Sequence, residues 1–147
     1  MTAVVEHEPT MREKVQRLEE LLLQRPQVDL RTTHVLSGGV YARTITIPAG
    51  VCLTGASHKK DHVCVVQGDI TVLTDEGPRR LTGQHVLATK AGMKRAGVAH
   101  APTTWTTLCR TDLTDLHEIE AELVEEPEQL QTRTLELAGH QTHKLEG

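Results

Sequence analysis

The chain contains no phenylalanine, a single tyrosine, Tyr41, and a single tryptophan, Trp105. Its core must therefore come from Val, Leu, Ile and Ala. Surfaces that stack bases or sugars lean on aromatic rings, so this poverty counts against nucleic-acid and carbohydrate binding. The charge balance agrees. Sixteen Lys and Arg against 20 Asp and Glu leave a net charge of −4, and the basic residues form no phosphate-tracking stripe. No apolar run reaches the ~18 residues of a membrane span. The opening MTAVVEHEPT lacks the apolar centre of a signal peptide. A reducing compartment without membrane contact is the expected setting. Cysteine is also scarce. Cys52, Cys64 and Cys109 sit in apolar runs with no CxxC spacing, and are expected as buried free thiols.

Catalytic signatures are missing too. There is no nucleophile elbow, no glycine-rich phosphate loop and no H-E-x-x-H. Carboxylates gather at Glu118, Glu120, Glu122, Glu125 and Glu126, a pattern that predicts a solvated face. No pair of them is poised for acid-base work.

What is present is a β-rich centre between two helices. The 147 residues make one domain with arms and can bury a core unaided. Residues 10–24 predict a helix. Thr10 and Glu13 form a capping box, and Met11, Val15, Leu18 and Leu22 repeat on one face. That stripe serves either the chain's own sheet or a partner. From 28 to 111, short β-branched runs alternate with SGG, PAG, QGD, DEGP, TG and KAG. Such spacing predicts an all-β sandwich or barrel. In VYARTITI, Tyr41, Arg43, Ile45 and Ile47 share one face while Ala42, Thr44 and Thr46 share the other. Both faces are half apolar, as if the outer one were also covered. Residues 112–126 predict a second helix, capped by Asp112 or Thr114, with Leu116, Ile119 and Leu123 on one side. The polar tail beyond is expected to order only when held, with TLEL as a strand that could join a neighbour's sheet. The divisions are 1–27 for an N-terminal arm and helix, 28–111 for the β domain, and 112–147 for a short helix and C-terminal arm.

The stretch GASHKKDHVCVVQGDI, residues 55–70, resembles the first motif of the cupin superfamily, and the resemblance spans about residues 40–108. It implies a jelly-roll β-barrel whose interior holds a metal on three histidines and a carboxylate. Gly55 and Gly68 keep the frame. Ala56 stands where the first histidine would be, His58 where the second is, and His62 in place of the carboxylate. In the second motif Lys90 replaces a proline, Gly92 is kept, and Arg95 takes the last ligand position. Arginine offers no lone pair and stays charged, and catalytic metal sites use three protein ligands. The expectation is no metal and no cofactor. If any metal binds, His58, His62 and His100 are the candidates, and alternation places Cys64 beside His62. The fold expected is a single cupin-like jelly roll with an N-terminal helix, a short C-terminal helix and extended arms.

A narrower resemblance runs over residues 50–124. The His-x-x-x-His segment, VLTDEGPRRL, AGMKR, TTWTTL and the acidic EIEAEL helix resemble a group of short cupin-like proteins of tailed bacteriophages. Some tailed phages use jelly-roll proteins as capsid cement. The resemblance implies a non-enzymatic virion protein, a homodimer bound to the major capsid protein. Met11, Val15, Leu18, Leu22, Leu135 and Leu137 are the expected contact residues. Arg95 and Trp105 would be structural, with Arg95 held by an ion pair or hydrogen bonds in the barrel mouth. The competing expectations are a metal-dependent cupin isomerase or dioxygenase on a small polar substrate, and a cupin that binds a small molecule without chemistry.

Overall fold

A computed structural model describes residues 2–3, 8–137 and 145–146, with backbone alone at 136–137 and 145–146. The order is α1 (Met11–Leu23), β1 (Thr33–Ser37), β2 (Val40–Ile47), β3 (Cys52–Thr54), β4 (His62–Thr74), β5 (Gly77–Thr89), β6 (Ala96–Ala99), β7 (Thr103–Arg110), α2 (Leu116–Leu123), α3 (Gln131–Leu137) and β8 (Leu145–Glu146). One antiparallel sheet, curled on itself, carries β3-β6-β4-β7-β2-β1, with β5 on β4 and β8 parallel to β1. The expected jelly-roll architecture is what the chain adopts.

The β4–β5 hairpin differs from the sequence expectation. QGD and TG were expected to be turns, yet both strands run 13 residues unbroken. The reason lies in their register. Gly68 pairs with Gly83, at φ +144° and +77°, and two facing glycines let the ribbon bend without ending. At this bend β4 changes neighbour. Val63–Gln67 pairs with β7, and Ile70–Val72 pairs with β6. This corner rolls the sheet into a barrel.

Two apolar clusters fill the inside. Ile47, Val66, Ile70, Val72, Leu81 and Ala99 form one. Tyr41, Cys109, Ile119, Leu123, Val124 and Leu130 form the other. The second exists because α2 plugs one end of the barrel. Asp115 caps that helix by accepting from Glu118 N at 3.0 Å, so the cap is neither Asp112 nor Thr114. Ile119 is fully buried, a burial that contributes ~2–3 kcal/mol.

Other expectations change here. Cys52 is exposed, while Cys64 and Cys109 are buried. Glu120 is buried rather than solvated, and its Oε1 accepts from Arg133 Nε at 3.0 Å. TLEL lies in α3, a helix rather than a strand. Helix α1 fits its prediction, with Thr10 Oγ1 accepting from Glu13 N at 3.2 Å.

The outer sheet face carries no charge over two rows that cross five strands. The register aligns Val35, Ala42, Leu108, Val63 and Ala88, and beside them Thr33, Thr44, Thr106, Val65 and Val86. Val86 is 66 % exposed and Val35 and Val63 are each 42 % exposed.

Candidate functional site

The two motif loops meet at one end of the barrel and are stitched together by backbone bonds. Gly55 N donates to Arg95 O, and Gly92 N donates to His58 O, each at 2.8 Å. The segment after α2 completes the seam. Lys59 N donates to Leu123 O at 2.8 Å and Glu125 N to Ser57 O at 3.0 Å, and His58 and Val124 form an isolated β-bridge. Three parts of the chain, far apart in sequence, thus fix the histidine loop.

Helix α1 lies across this end against β3. Arg12 donates to Gly92 O at 3.1 Å and Ser57 Oγ at 3.3 Å, and pairs with Glu125 at 2.8 Å. Glu19 pairs with Lys94 at 3.0 Å and accepts from Thr54 Oγ1 at 2.7 Å. The helix is therefore tied to its own barrel. Val15 is fully buried, and Met11, Leu18 and Leu22 are half-buried. Leu21 and Leu23 are the exposed leucines of α1. In α3, Leu135 is half-buried, and the Leu137 side chain lies outside the described residues.

Behind the helix is a cavity of about 690 Å³. Strand alternation points His62 and Cys64 toward it, and Arg43, Ile45 and Ile47 from β2. His58 and His62 have ring centroids 4.2 Å apart. His62 Nδ1 lies 3.0 Å from Lys60 O. A carbonyl only accepts, so Nδ1 carries the proton. Cys64 Sγ sits 3.6 Å from Thr89 Oγ1 and 3.9 Å from Thr107 Oγ1.

Arg95 enters from the second motif loop. Its Nη2 donates to Thr89 Oγ1 at 3.1 Å, and its guanidinium carbon lies 5.7 Å from the Trp105 ring centroid. Its Nε is buried without a hydrogen-bond partner. The expected hydrogen bond is thus present, but among the described residues no carboxylate pairs with Arg95.

The electrostatics follow from this crowding of cations. Burial, then the neighbouring His62, then Arg43 pull His58 down to about 4, against a backbone hydrogen bond at Ala56. Burial lowers His62, but hydrogen bonds to Cys64 and Lys60 O outweigh it and raise it overall. Burial raises the Cys64 thiol, but hydrogen bonds from His62, Thr89 and Trp105 bring it below its ordinary value. Burial lowers Arg95, which remains protonated at any working pH.

A cupin metal does not fit these residues. Ala56 offers no donor, and Arg95 brings a half-buried cation to the cavity that His58 and His62 line. His100 does not join them. It is exposed, outside the cavity lining, with Nε2 2.6 Å from Thr71 Oγ1. Among the described residues no three His, Cys, Asp or Glu side chains converge on one point.

Arg43, Thr89 and Thr107 are site residues that sequence reasoning passed over. A signal for Arg43 existed, since alternation puts its charge on the otherwise apolar inner face of VYARTITI. Thr89 and Thr107 carried none, because threonine is common in strands.

The fold is cupin-like. Similar solved structures include a cupin domain from Bordetella pertussis, with 16 % identity over 59 % of this chain and 98 % of that one, TM-score 0.46. A cupin-2 domain protein from Shewanella frigidimarina shares 8 % identity over 63 % and 91 %, TM-score 0.45. A cupin superfamily protein from Desulfitobacterium hafniense shares 16 % over 75 % and 100 %, TM-score 0.44. Similarity this distant carries nothing about activity. No protein-family model matches the chain, and no curated protein does.

Proposed function

We propose that this chain is a structural virion protein, a capsid cement or decoration protein of a tailed phage. It works as a homodimer that grips the major capsid protein. The observation that carries the reading is the uncharged outer sheet face. Ten aligned positions over five strands carry Val, Ala, Leu and Thr, with Thr33, Val35, Val63, Val86 and Ala88 exposed and the rest half-buried. A continuous exposed apolar patch marks a protein contact, and a self-complementary face suits a two-fold dimer. The sequence resemblance to short tailed-phage proteins, the cement protein of a Bordetella phage among them, supplies the choice of partner. Leu21, exposed on α1, offers a second contact. Fully buried Val15 belongs to the chain's own core. Many copies on a shell multiply modest contacts.

The test joins light scattering on the purified chain, co-sedimentation with empty capsids, and elemental analysis of protein prepared without chelators. A dimer that sediments with capsids, and becomes a capsid-free monomer when Val63 and Val86 are both changed to Lys, supports the reading. Stoichiometric metal, lost on His58→Ala or His62→Ala, would replace it with the metal-dependent cupin enzyme.

A further inference from the structure

We infer that the barrel cavity is a binding site for a small organic carboxylate with an apolar tail, its carboxylate held between Arg43 and Arg95. The inference is independent of the assembly role, which uses the opposite face of the sheet.

Arg43 and Arg95 both line the same cavity, and among the described residues neither pairs with a carboxylate. The acids at the rim are otherwise engaged or exposed. Glu19 holds Lys94, Glu125 holds Arg12, and Glu126 and Glu128 are exposed. Cys64 links the two arginines in space. Thr89, which accepts from Arg95, is 3.6 Å from its sulfur. Thr107, the cross-strand neighbour of Arg43, is 3.9 Å from it.

A buried Nε without a partner is costly and calls for an acceptor. Two planar guanidinium forks match a carboxylate, and the Thr89 hydroxyl already accepts from Arg95. Beyond the arginines the wall turns apolar, with Ile45, Ile47, Ile70 and Val72. An inorganic anion would leave that wall against water. A volume near 690 Å³ holds an organic ligand and lies in the ordinary range for such sites.

Trp105 is the sole tryptophan and touches Arg95, so its emission reports on the site in the unmodified chain. The experiment titrates the full chain with sodium hexanoate, hexanamide and sodium phosphate at constant ionic strength. Trp105 emission and calorimetric heat are read together. The expected result is saturable hexanoate binding at one site per chain, with no response to hexanamide or phosphate. Arg43→Gln and Arg95→Gln should each weaken hexanoate by about tenfold, with the fold of each variant checked by near-ultraviolet dichroism. Should Arg95→Gln not fold, Arg43→Gln and the hexanamide comparison decide. Silence toward hexanoate overturns the inference. So does equal binding of hexanamide, which would make the cavity merely greasy. A response to phosphate alone also overturns it, since the site would then take inorganic anions.

Discussion

The guanidinium of Arg95 lies 5.7 Å from the centroid of the Trp105 ring, inside a barrel where its Nε has no acceptor. A charge in that position costs stability, because half-buried cations without a counter-ion lose hydration that nothing restores. Arg95→Met keeps the length and the contact with the indole, through sulfur in place of the cation. The variant is expected to gain ~1 kcal/mol in denaturant unfolding, and to lose the stabilisation that hexanoate gives the parent chain. A structural arginine would give the opposite sign, with Arg95→Met melting earlier.

The corner at Gly68 yields a second prediction. Its φ is +144°, and a Cβ there would come within 2.8 Å of Pro102 O and of Thr103 Cα. That backbone cannot give way cheaply. Gly68→Ala is expected to lose ~2–3 kcal/mol. Gly83, its partner across the hairpin, has a positive φ but open space around it. Gly83→Ala should therefore cost about 1 kcal/mol, the strain of the left-handed backbone alone. Thermal or urea melts of the two variants check the order.

The cupin frame was legible in the sequence because its glycines carry geometry. Gly55 and Gly68 bracket the motif, and alternation in HVCVV points His62 and Cys64 inward as read. The uncharged outer face was also foreshadowed by Ala42, Thr44 and Thr46. Other features escaped because they depend on contacts far apart in the chain. Glu120 reads as solvated until Arg133 of α3 folds over it. QGD and TG look like turns, and only their mutual register shows that they are one bend in a long ribbon. The Met11, Val15, Leu18 and Leu22 stripe has the same spacing whether it meets a partner or its own barrel. Arg12 and Glu19, whose bonds hold the helix down, lie outside that pattern.

The histidine pair predicts a pH dependence. His58 is held down to about 4 by burial first and by the neighbouring His62 next. An unfolded chain takes up this proton near pH 6.5 while the folded chain refuses it. Between those values the unfolded state binds more protons, so stability falls as the solution is acidified from about 6.5 toward 4. His62 is shifted the other way, and on its own favours the folded state below its ordinary value, losing that contribution as pH rises. The two can be separated. His58→Gln should flatten the acid-side loss of melting temperature, while His62→Gln should remove the decline above its ordinary value and, by taking away the neighbour that helps hold His58 down, ease part of the acid-side loss. Melting curves at half-unit pH steps read both.

The ion pair that fastens α3 gives a final case. Arg133 Nε meets Glu120 Oε1 at 3.0 Å, and Arg133 also donates to His117 O at 3.0 Å. Glu120 is buried, with Oε2 lacking a hydrogen-bond partner. Removing the arginine leaves a buried carboxylate with no counter-charge. Arg133→Met is expected to cost ~3 kcal/mol. Glu120→Gln in the same background removes the charge and should recover most of the loss. A double-mutant cycle of urea midpoints measures the coupling. If Arg133→Met alone proves neutral, α3 does not depend on this pair, and its hold on α2 must come instead from buried Leu130 and Thr132.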